Sequence, residues 1–410
     1  MEPDAPRICC LDLDTFFVSV ERLFDPSLEN KPVVVGGHKG GRGVVTSASY
    51  EARALGVRSG MSIRDATKLA PRAIFLPGSH DRYSKYSDDA RAIVERYSPL
   101  VRAASIDEQY IDCHGCERLY YRPGDVDADA TIRRVVGEIT GAIGAELGLP
   151  ASAGIATSKP MAKVASGLAK PRGVLLVAAG AEAATLAPLP VRKLPGIGPV
   201  AERKLRERGL ETLGQLVLAP DDELRPIFGN MTAEIRAAAR GIGTTELGRE
   251  RPAFREHDPV GERVGSISNE RTFVERAPSD TEAVLSGLCE RVCWRARKRG
   301  MKARTITLKL RYVDFETVSR AMTVPATNCD IEIHHLVFDL YRSLRTRSLG
   351  VRLLGVALSK FELEGAQLLL FERSGRRSIA IDRAREKFGF DAVHLASTTE
   401  RSSSRKRRSA

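Results

Sequence analysis

Apolar and polar positions follow two rhythms along this chain, one of period two and one of helical period. Residues 7–14 (Arg-Ile-Cys-Cys-Leu-Asp-Leu-Asp) form an apolar run of strand length, and from Phe16 the pattern turns helical until Asp25-Pro26 stops it. Val33-Val34-Val35, closed by Gly36-Gly37, predicts a second strand, residues 43–46 a third, and residues 49–55 a helix ended by Gly56. Residues 103–113 and 151–155 read as further strands, with a helix over 129–147 between them. From about residue 170 to 245 the pattern is helical with short loops, punctuated by Pro195-Gly196-Ile197-Gly198. Residues 249–261 are charged, proline-bearing and aperiodic, as a linker would be. Beyond them come a strand (265–274), a helix (281–298), two strands (305–312, 317–323), a helix (331–346) and a strand (351–361). That βαββαβ order can bury one sheet face under two helices. A last helical pattern ends near Phe388-Gly389, and the Ser/Arg/Lys tail 402–410 is expected to be disordered. The predicted class is α+β.

Composition narrows the picture. A chain of 410 residues is long enough for two to four domains. No apolar run approaches the ~18 residues of a membrane span, and Met1-Glu2-Pro3-Asp4 is acidic where a signal peptide is basic. A cytoplasmic, monomeric protein with no membrane partner is expected. The formal charge is +12. Five cations lie in the last ten residues, and residues 263–362 carry 18 Lys/Arg against 11 Asp/Glu. A basic domain on a nearly neutral chassis points to a polyanionic partner. Seven cysteines without framework spacing suit reduced thiols better than disulfides or zinc.

Two acidic clusters stand in apolar surroundings, where an unpaired carboxylate is expensive. Asp12-Leu13-Asp14 follows Ile8 to Leu11, and Ser105-Ile106-Asp107-Glu108 precedes Tyr110-Ile111-Asp112. If the two strands are neighbours, several carboxylates converge and call for cations. Hard oxygen ligands suit Mg2+, and two such ions about 4 Å apart would activate a hydroxyl and stabilise a leaving pyrophosphate. Tyr50 and Arg53 share a helix face at i and i+3, and Lys159 adds charge from another segment, so the three could hold a triphosphate.

In order, Asp12-x-Asp14-x-Phe16-Phe17, Val45-Thr46-Ser47-Ala48-Ser49-Tyr50-Glu51-Ala52-Arg53, Ser105-Ile106-Asp107-Glu108, Gly154-Ile155 through Lys159, and Ala169-Lys170-Pro171 resemble the motifs of Y-family translesion DNA polymerases of the bacterial DinB type. The resemblance covers residues 7 to about 362. It implies Asp12, Asp107 and Glu108 as catalytic metal ligands with the Leu13 carbonyl assisting, a structural Asp14, Phe17 as steric gate against ribonucleotides, and Val44 and Thr46 over the nascent base pair. The sequence departs from the family pattern at Thr15, where small or aromatic residues are usual beside the gate, and at Val44 and Thr46. Leu194 to Gly198 with the helical residues 200–208 resembles a helix-hairpin-helix, in which Pro195, Gly196, Ile197 and Gly198 would meet DNA phosphate. Gln367-Leu368-Leu369-Leu370-Phe371 resembles the bacterial sliding-clamp-binding peptide, with Gln367, Leu368, Leu370 and Phe371 as contacts.

The implied architecture is a right hand. It has a palm (1–15 and 78–170), fingers (16–77), a helical thumb (171–245), a linker (246–262), a βαββαβ little finger (263–362) and a tail with the clamp peptide (363–410). The implied reaction is templated attack of a primer 3'-hydroxyl on a dNTP, error-prone, with two Mg2+ ions and no proofreading. Its partners are primer-template DNA, dNTP and the β clamp. Two rivals are a non-catalytic scaffold of the same fold, which would lack the acidic set, and a palm-type nucleotide cyclase, which would not need the hairpin, the basic domain or the clamp peptide.

Overall fold

A computed structural model describes residues 5–247, 264–273, 281–363 and 374–398. The chain forms two compact units, Met1–Ala253 and Phe254–Ala410.

The first unit begins with β1 (Ile8–Leu13), α1 (Phe16–Phe24), β2 (Val33–Val35), β3 (Ser47–Ala48), α2 (Tyr50–Ala54), α3 (Ile63–Leu69), β4 (Ile74–Leu76) and α4 (His80–Val94). It continues through β5 (Val101–Ala103), β6 (Glu108–Asp112), α5 (Cys116–Tyr120), α6 (Ala128–Leu147), β7 (Ala151–Ala156), α7 (Lys159–Ala169) and β8 (Val174–Leu176). Five short helices follow: α8 (Glu182–Leu186), α9 (Pro199–Arg206), α10 (Leu213–Leu218), α11 (Asp221–Phe228) and α12 (Thr232–Ala238). The main sheet has the order β5-β6-β1-β7-β8, and a smaller one the order β3-β2-β4.

Period-two alternation explains how β1 is covered. Cys9, Leu11 and Leu13 pack with Ile132, Val136 and Ile139 of α6 and with Ile93 of α4. Ile8 and Cys10 turn the other way, toward Met161, Ala162 and Ala165 of α7. Asp12 therefore continues the α7-facing row. α7 lies very close to β7, because a Cβ on Gly154 would stand 2.1 Å from the Ser166 amide and 2.3 Å from the Ala162 carbonyl oxygen. Only glycine allows that approach.

Three expectations are corrected. Residues 103–113 are not one strand but the hairpin β5–β6, so Asp107 lies in a turn and only Glu108 begins a strand. Residues 43–46 form no strand; Val44 makes an isolated bridge to Ser62, and the pairing with β2 falls on Ser47 and Ala48. A Cβ on Gly36 would lie 2.0 Å from the Val44 carbonyl oxygen, and this close crossing leaves no room for a regular ladder before residue 47. The main sheet also runs on through β8, which pairs parallel with β7 beyond residue 170.

The second unit contains β9 (Ser266–Thr272), α13 (Thr281–Arg297), β10 (Met301–Tyr312), β11 (Thr317–Thr327), α14 (Asp330–Leu344), β12 (Val351–Leu363) and α15 (Ser374–Phe388). The expected βαββαβ order is present, as an antiparallel sheet β11-β10-β12-β9 with both helices on one face. The segment after it, for which sequence patterns suggest a helix but no role, docks on α13. Arg385 and Glu290, both essentially buried, form an ion pair. The Leu395 amide donates to Glu290 Oε1 at 3.1 Å, Arg297 grips Asp382 through two bonds of 2.6 and 2.9 Å, and Phe390 packs on Trp294 with ring centroids 5.1 Å apart.

A buried ion pair is costly to break from one side, because the remaining charge loses its partner. Arg385→Met should destabilise this unit by about 3–5 kcal/mol, and Glu290→Gln/Arg385→Met should recover most of the loss. Trp294 is the chain's single tryptophan, so its fluorescence during urea unfolding of the full chain reads both outcomes; equal midpoints for Arg385→Met and wild type would refute the account.

Candidate active site

At the end of β1 the register sets Asp12 directly opposite Glu108 of β6. The Leu13 amide donates to the Asp107 carbonyl oxygen at 2.9 Å, which fastens the 104–107 turn to the end of β1. Opposed positions of an antiparallel pair share a sheet face, so Asp12 and Glu108 are neighbours. Asp107 adds its charge from the turn, where its carboxylate accepts a bond from Ser105 Oγ. Burial raises the Asp12 pKa to about 6; Lys170 opposes the rise, while Asp107 and Glu108 add to it.

Two lysines of the α7 segment meet these acids. Lys170 pairs with Asp12, and Lys163 with Glu108. Burial alone would lower the Lys163 pKa, but its hydrogen bond and charge contact with Glu108 hold it above the ordinary value. Among the described residues, no three His, Cys, Asp or Glu side chains gather into a ready metal cage. The donor set nevertheless suits a hard cation. All three candidate side chains offer carboxylate oxygen, two of them already hold an ammonium group, and Mg2+ commonly takes only one or two carboxylates and completes its shell from water and phosphate.

Asp14 has a different setting. It is 1% exposed and accepts from Ser152 Oγ at 2.7 Å, the Arg172 amide at 2.8 Å and Tyr50 Oη at 3.3 Å. This carboxylate ties β1 to β7, to the loop after α7 and to α2. Burial, and then Asp14 itself, push the Tyr50 phenol up to about 12, so Tyr50 remains a proton donor. Arg53, one helical turn on, lies 5.4 Å from the Tyr50 ring centroid and donates from Nε to the Ala48 carbonyl oxygen at 3.0 Å.

Lys159 does not join that pair. Its Nζ stands over the Tyr110 ring, 5.0 Å from the centroid, and Tyr110 pairs with Cys10, two residues back along β1 from Asp12. The lysine that meets the Tyr50–Asp14 contact is Lys170, 3.6 Å from Asp14 Oδ1. Lys163 and Lys170 are the residues the motif reading left without a role. A signal for them exists in the sequence, since Lys163 lies one helical turn from Lys159 on α7 and Lys170 follows its last residue.

Between Asp14 and α1 the chain turns through Thr15 in the left-handed region, φ 44°, a conformation that costs a threonine roughly 1–2 kcal/mol. Ser19 Oγ, donating to the Asp14 carbonyl oxygen at 2.7 Å and lying 3.1 Å from Thr15 Oγ1, holds the turn. Behind it the Phe17 ring stacks on Tyr83, centroids 4.1 Å apart and planes 12° apart. Tyr83 is in turn anchored by donating to Glu21 Oε1 at 2.6 Å. Val44 is 52% exposed, and Thr46 is exposed with its hydroxyl donating to the Val35 carbonyl oxygen at 3.0 Å.

In the helical part of this unit, Gly196 has φ 94° and Ile197 is buried, while Gly198 caps α9 just before Pro199. Gln367 to Phe371 lie outside the described residues. No described helix is long and apolar enough to cross a membrane.

Comparison with known proteins agrees along the chain. Residues 11–167 match the impB/mucB/samB family, residues 180–210 the HHH motif of the same family, and residues 264–370 its C-terminal domain. A DNA polymerase IV of Dehalococcoides mccartyi is 37% identical over 96% of this chain and 97% of its own length. Another, of Desulfatibacillum aliphaticivorans, is 38% identical over 94% of this chain and 95% of its own. Among solved structures, a Dbh-based Y-family DNA polymerase chimera covers 87% of this chain and all of its own, with TM-score 0.72 and 23% identity. The insertion ternary complex of Dbh DNA polymerase covers 88% of this chain and all of its own, with TM-score 0.59 and 23% identity. The carboxylate-bearing sheet, the hairpin and the separate C-terminal sheet unit thus belong to one family: the chain is a member of the impB/mucB/samB family, a Y-family DNA polymerase of the DNA polymerase IV (DinB) type.

Proposed function

We propose that this polymerase extends a primer 3'-hydroxyl with dNTPs along damaged template DNA in the bacterial cytoplasm, without a proofreading step, using two Mg2+ ions held by Asp12, Asp107, Glu108 and the Leu13 carbonyl. The observation that carries the reading is the opposition of Asp12 and Glu108 across β1 and β6, with Asp107 in the adjoining turn. Bound divalent cations there would lower the pKa of the attacking hydroxyl and stabilise the leaving pyrophosphate. Lys170 and Lys163 keep the acids in position and supply positive charge where triphosphate oxygens would arrive. Tyr50 donates from the fingers side, and Arg53 offers a planar guanidinium one turn away. Phe17, backed by Tyr83, occupies space beside the sugar, and Val44 and Thr46 cover the base pair. Pro195 to Gly198 offer backbone amides to a DNA phosphate, and the basic C-terminal unit grips the duplex backbone. Gln367 to Phe371 tether the enzyme to the β clamp.

Primer extension by Asp107→Ala tests the core of this reading. Losing a carboxylate beside the reacting phosphate should lower the rate on the order of a hundredfold or more, with DNA binding retained; near-wild-type extension would remove Asp107 from the site.

The gate acts by shape, because a phenyl ring has no hydrogen bond to give. Phe17→Ala should raise ribonucleotide use relative to dNTP by roughly 5- to 150-fold, corresponding to ~1–3 kcal/mol of relieved overpacking. Single-nucleotide kinetics measure it, and unchanged selectivity would mean that Phe17 only packs.

For the clamp peptide, Leu370→Ala/Phe371→Ala should cost of order 2 kcal/mol or more of clamp affinity per anchor and leave clamp-free extension intact. Product length with and without loaded clamp decides; equal stimulation of both proteins would withdraw the partner.

A further inference from the structure

The sheet of the C-terminal unit has two unlike faces. Ile306, Leu308, Leu354 and Val356 lie under α13 and α14 in the core. The opposite face follows from the register. Ser319, Lys309, Gly355 and Glu270 form one row across all four strands. The next row is Ala321, Thr307, Ala357 and Ser268, and the row on the other side is Thr317, Arg311, Leu353 and Thr272. These are mostly small side chains, with Lys309 and Arg311 as the cations of the three rows and Glu270 as their acid.

Glu270 and Lys309 stand on strands separated by β12, yet they meet. Lys309 Nζ lies 2.9 Å from Glu270 Oε1, and the bridge crosses Gly355. A Cβ at Gly355 would be 2.8 Å from Glu270 Cγ and 3.4 Å from its Oε1, so a side chain at 355 would push the acid off its path. Arg311 is held differently, donating from Nε to Thr317 Oγ1 at 2.7 Å, with no acid in its row. Both members of the Lys309–Glu270 pair remain more than a third exposed. A pair so open to solvent adds little to folding. Its larger consequence falls on any anion approaching the face.

We infer that Glu270 is a built-in counter-charge that restrains the affinity of this helix-free face for the DNA backbone. The inference rests on the proposal that the basic C-terminal unit grips the duplex. A phosphate that reaches Lys309 must displace the Glu270 carboxylate or lie beside it, and either event weakens the contact. Arg311, hydrogen-bonded to a neutral hydroxyl, meets no such competitor. Within these three rows, among the described residues, DNA then meets Arg311 without a carboxylate competitor and Lys309 only in competition with Glu270, which favours release over tight grip.

Fluorescence anisotropy of the full chain on a primer-template duplex, over a salt series, tests the inference with three variants. Glu270→Gln keeps shape and removes charge. It should tighten binding and steepen the dependence of log Kd on log salt by about 0.9, the increment of one added phosphate contact. Its gain should therefore be about three- to fourfold larger at 50 mM than at 200 mM salt. Lys309→Gln should weaken binding and flatten the slope, and adding Glu270→Gln to it should give a smaller gain than Glu270→Gln alone. If Lys309→Gln weakens binding but Glu270→Gln leaves it unchanged or weakens it too, Glu270 merely aims the lysine and the inference falls while the grip stands. If neither substitution moves affinity or slope, DNA does not meet this face, and the assignment of the duplex grip to it falls instead.

Discussion

Carboxylates at the end of an apolar strand pair repel one another and resist burial, and the first unit is arranged around that constraint. Asp12 and Glu108 oppose each other across β1 and β6, with Asp107 close by. The balancing charges come from Lys163 and Lys170, at positions fixed by how near α7 lies to β7. That distance depends on Gly154, where even a methyl group would collide with the helix backbone. A residue with no side chain thus governs where two cations stand relative to two acids on the strands β1 and β6.

Asp14 extends the same logic to α2. Its hydrogen-bond acceptor capacity is shared among β7, the loop after α7 and Tyr50, so the helix bearing Tyr50 and Arg53 is tied to the strand bearing Asp12. The strained turn at Thr15 is affordable because Ser19 and Asp14 hold it. It swings α1 round so that Phe17 rests on Tyr83 and not in the open. The Phe17 ring is consequently positioned by a residue 66 positions away in the chain, and no local pattern around Phe17 signals that contact.

What could be read from the sequence follows from how local each cause is. The helix at Phe16 to Phe24 and the strand at Val33 to Val35 are set by neighbouring apolar spacing and by Asp25-Pro26 and Gly36-Gly37, and both were legible to the residue. The βαββαβ order was legible for the same reason. The hairpin at 101–112 was not, because Ser105-Ile106-Asp107 contains no glycine or proline to mark a turn, and the turn is fastened by the Leu13 contact across the sheet. Likewise Asp12, Asp107 and Glu108 could be picked out by type and motif, whereas the choice among Lys159, Lys163 and Lys170 depends on the register of a helix against a strand, which spacing alone leaves open. The docking of residues 374–398 depends on a buried Arg385–Glu290 pair whose members are 95 residues apart; nothing local to either residue announces the other.

The C-terminal unit separates two uses of charge by burial. Where Glu290 and Arg385 are sealed between α13 and α15, their mutual attraction is unscreened and their separation would leave a charge without water, so the pair works as a fastening. On the far side of the same sheet, Glu270 and Lys309 remain wet, their attraction is screened, and an arriving anion can take the place of one partner. The same chemical pairing is therefore structural on one face and exchangeable on the other. Solvent access decides which, because it sets whether breaking the pair strands a charge or merely returns it to water.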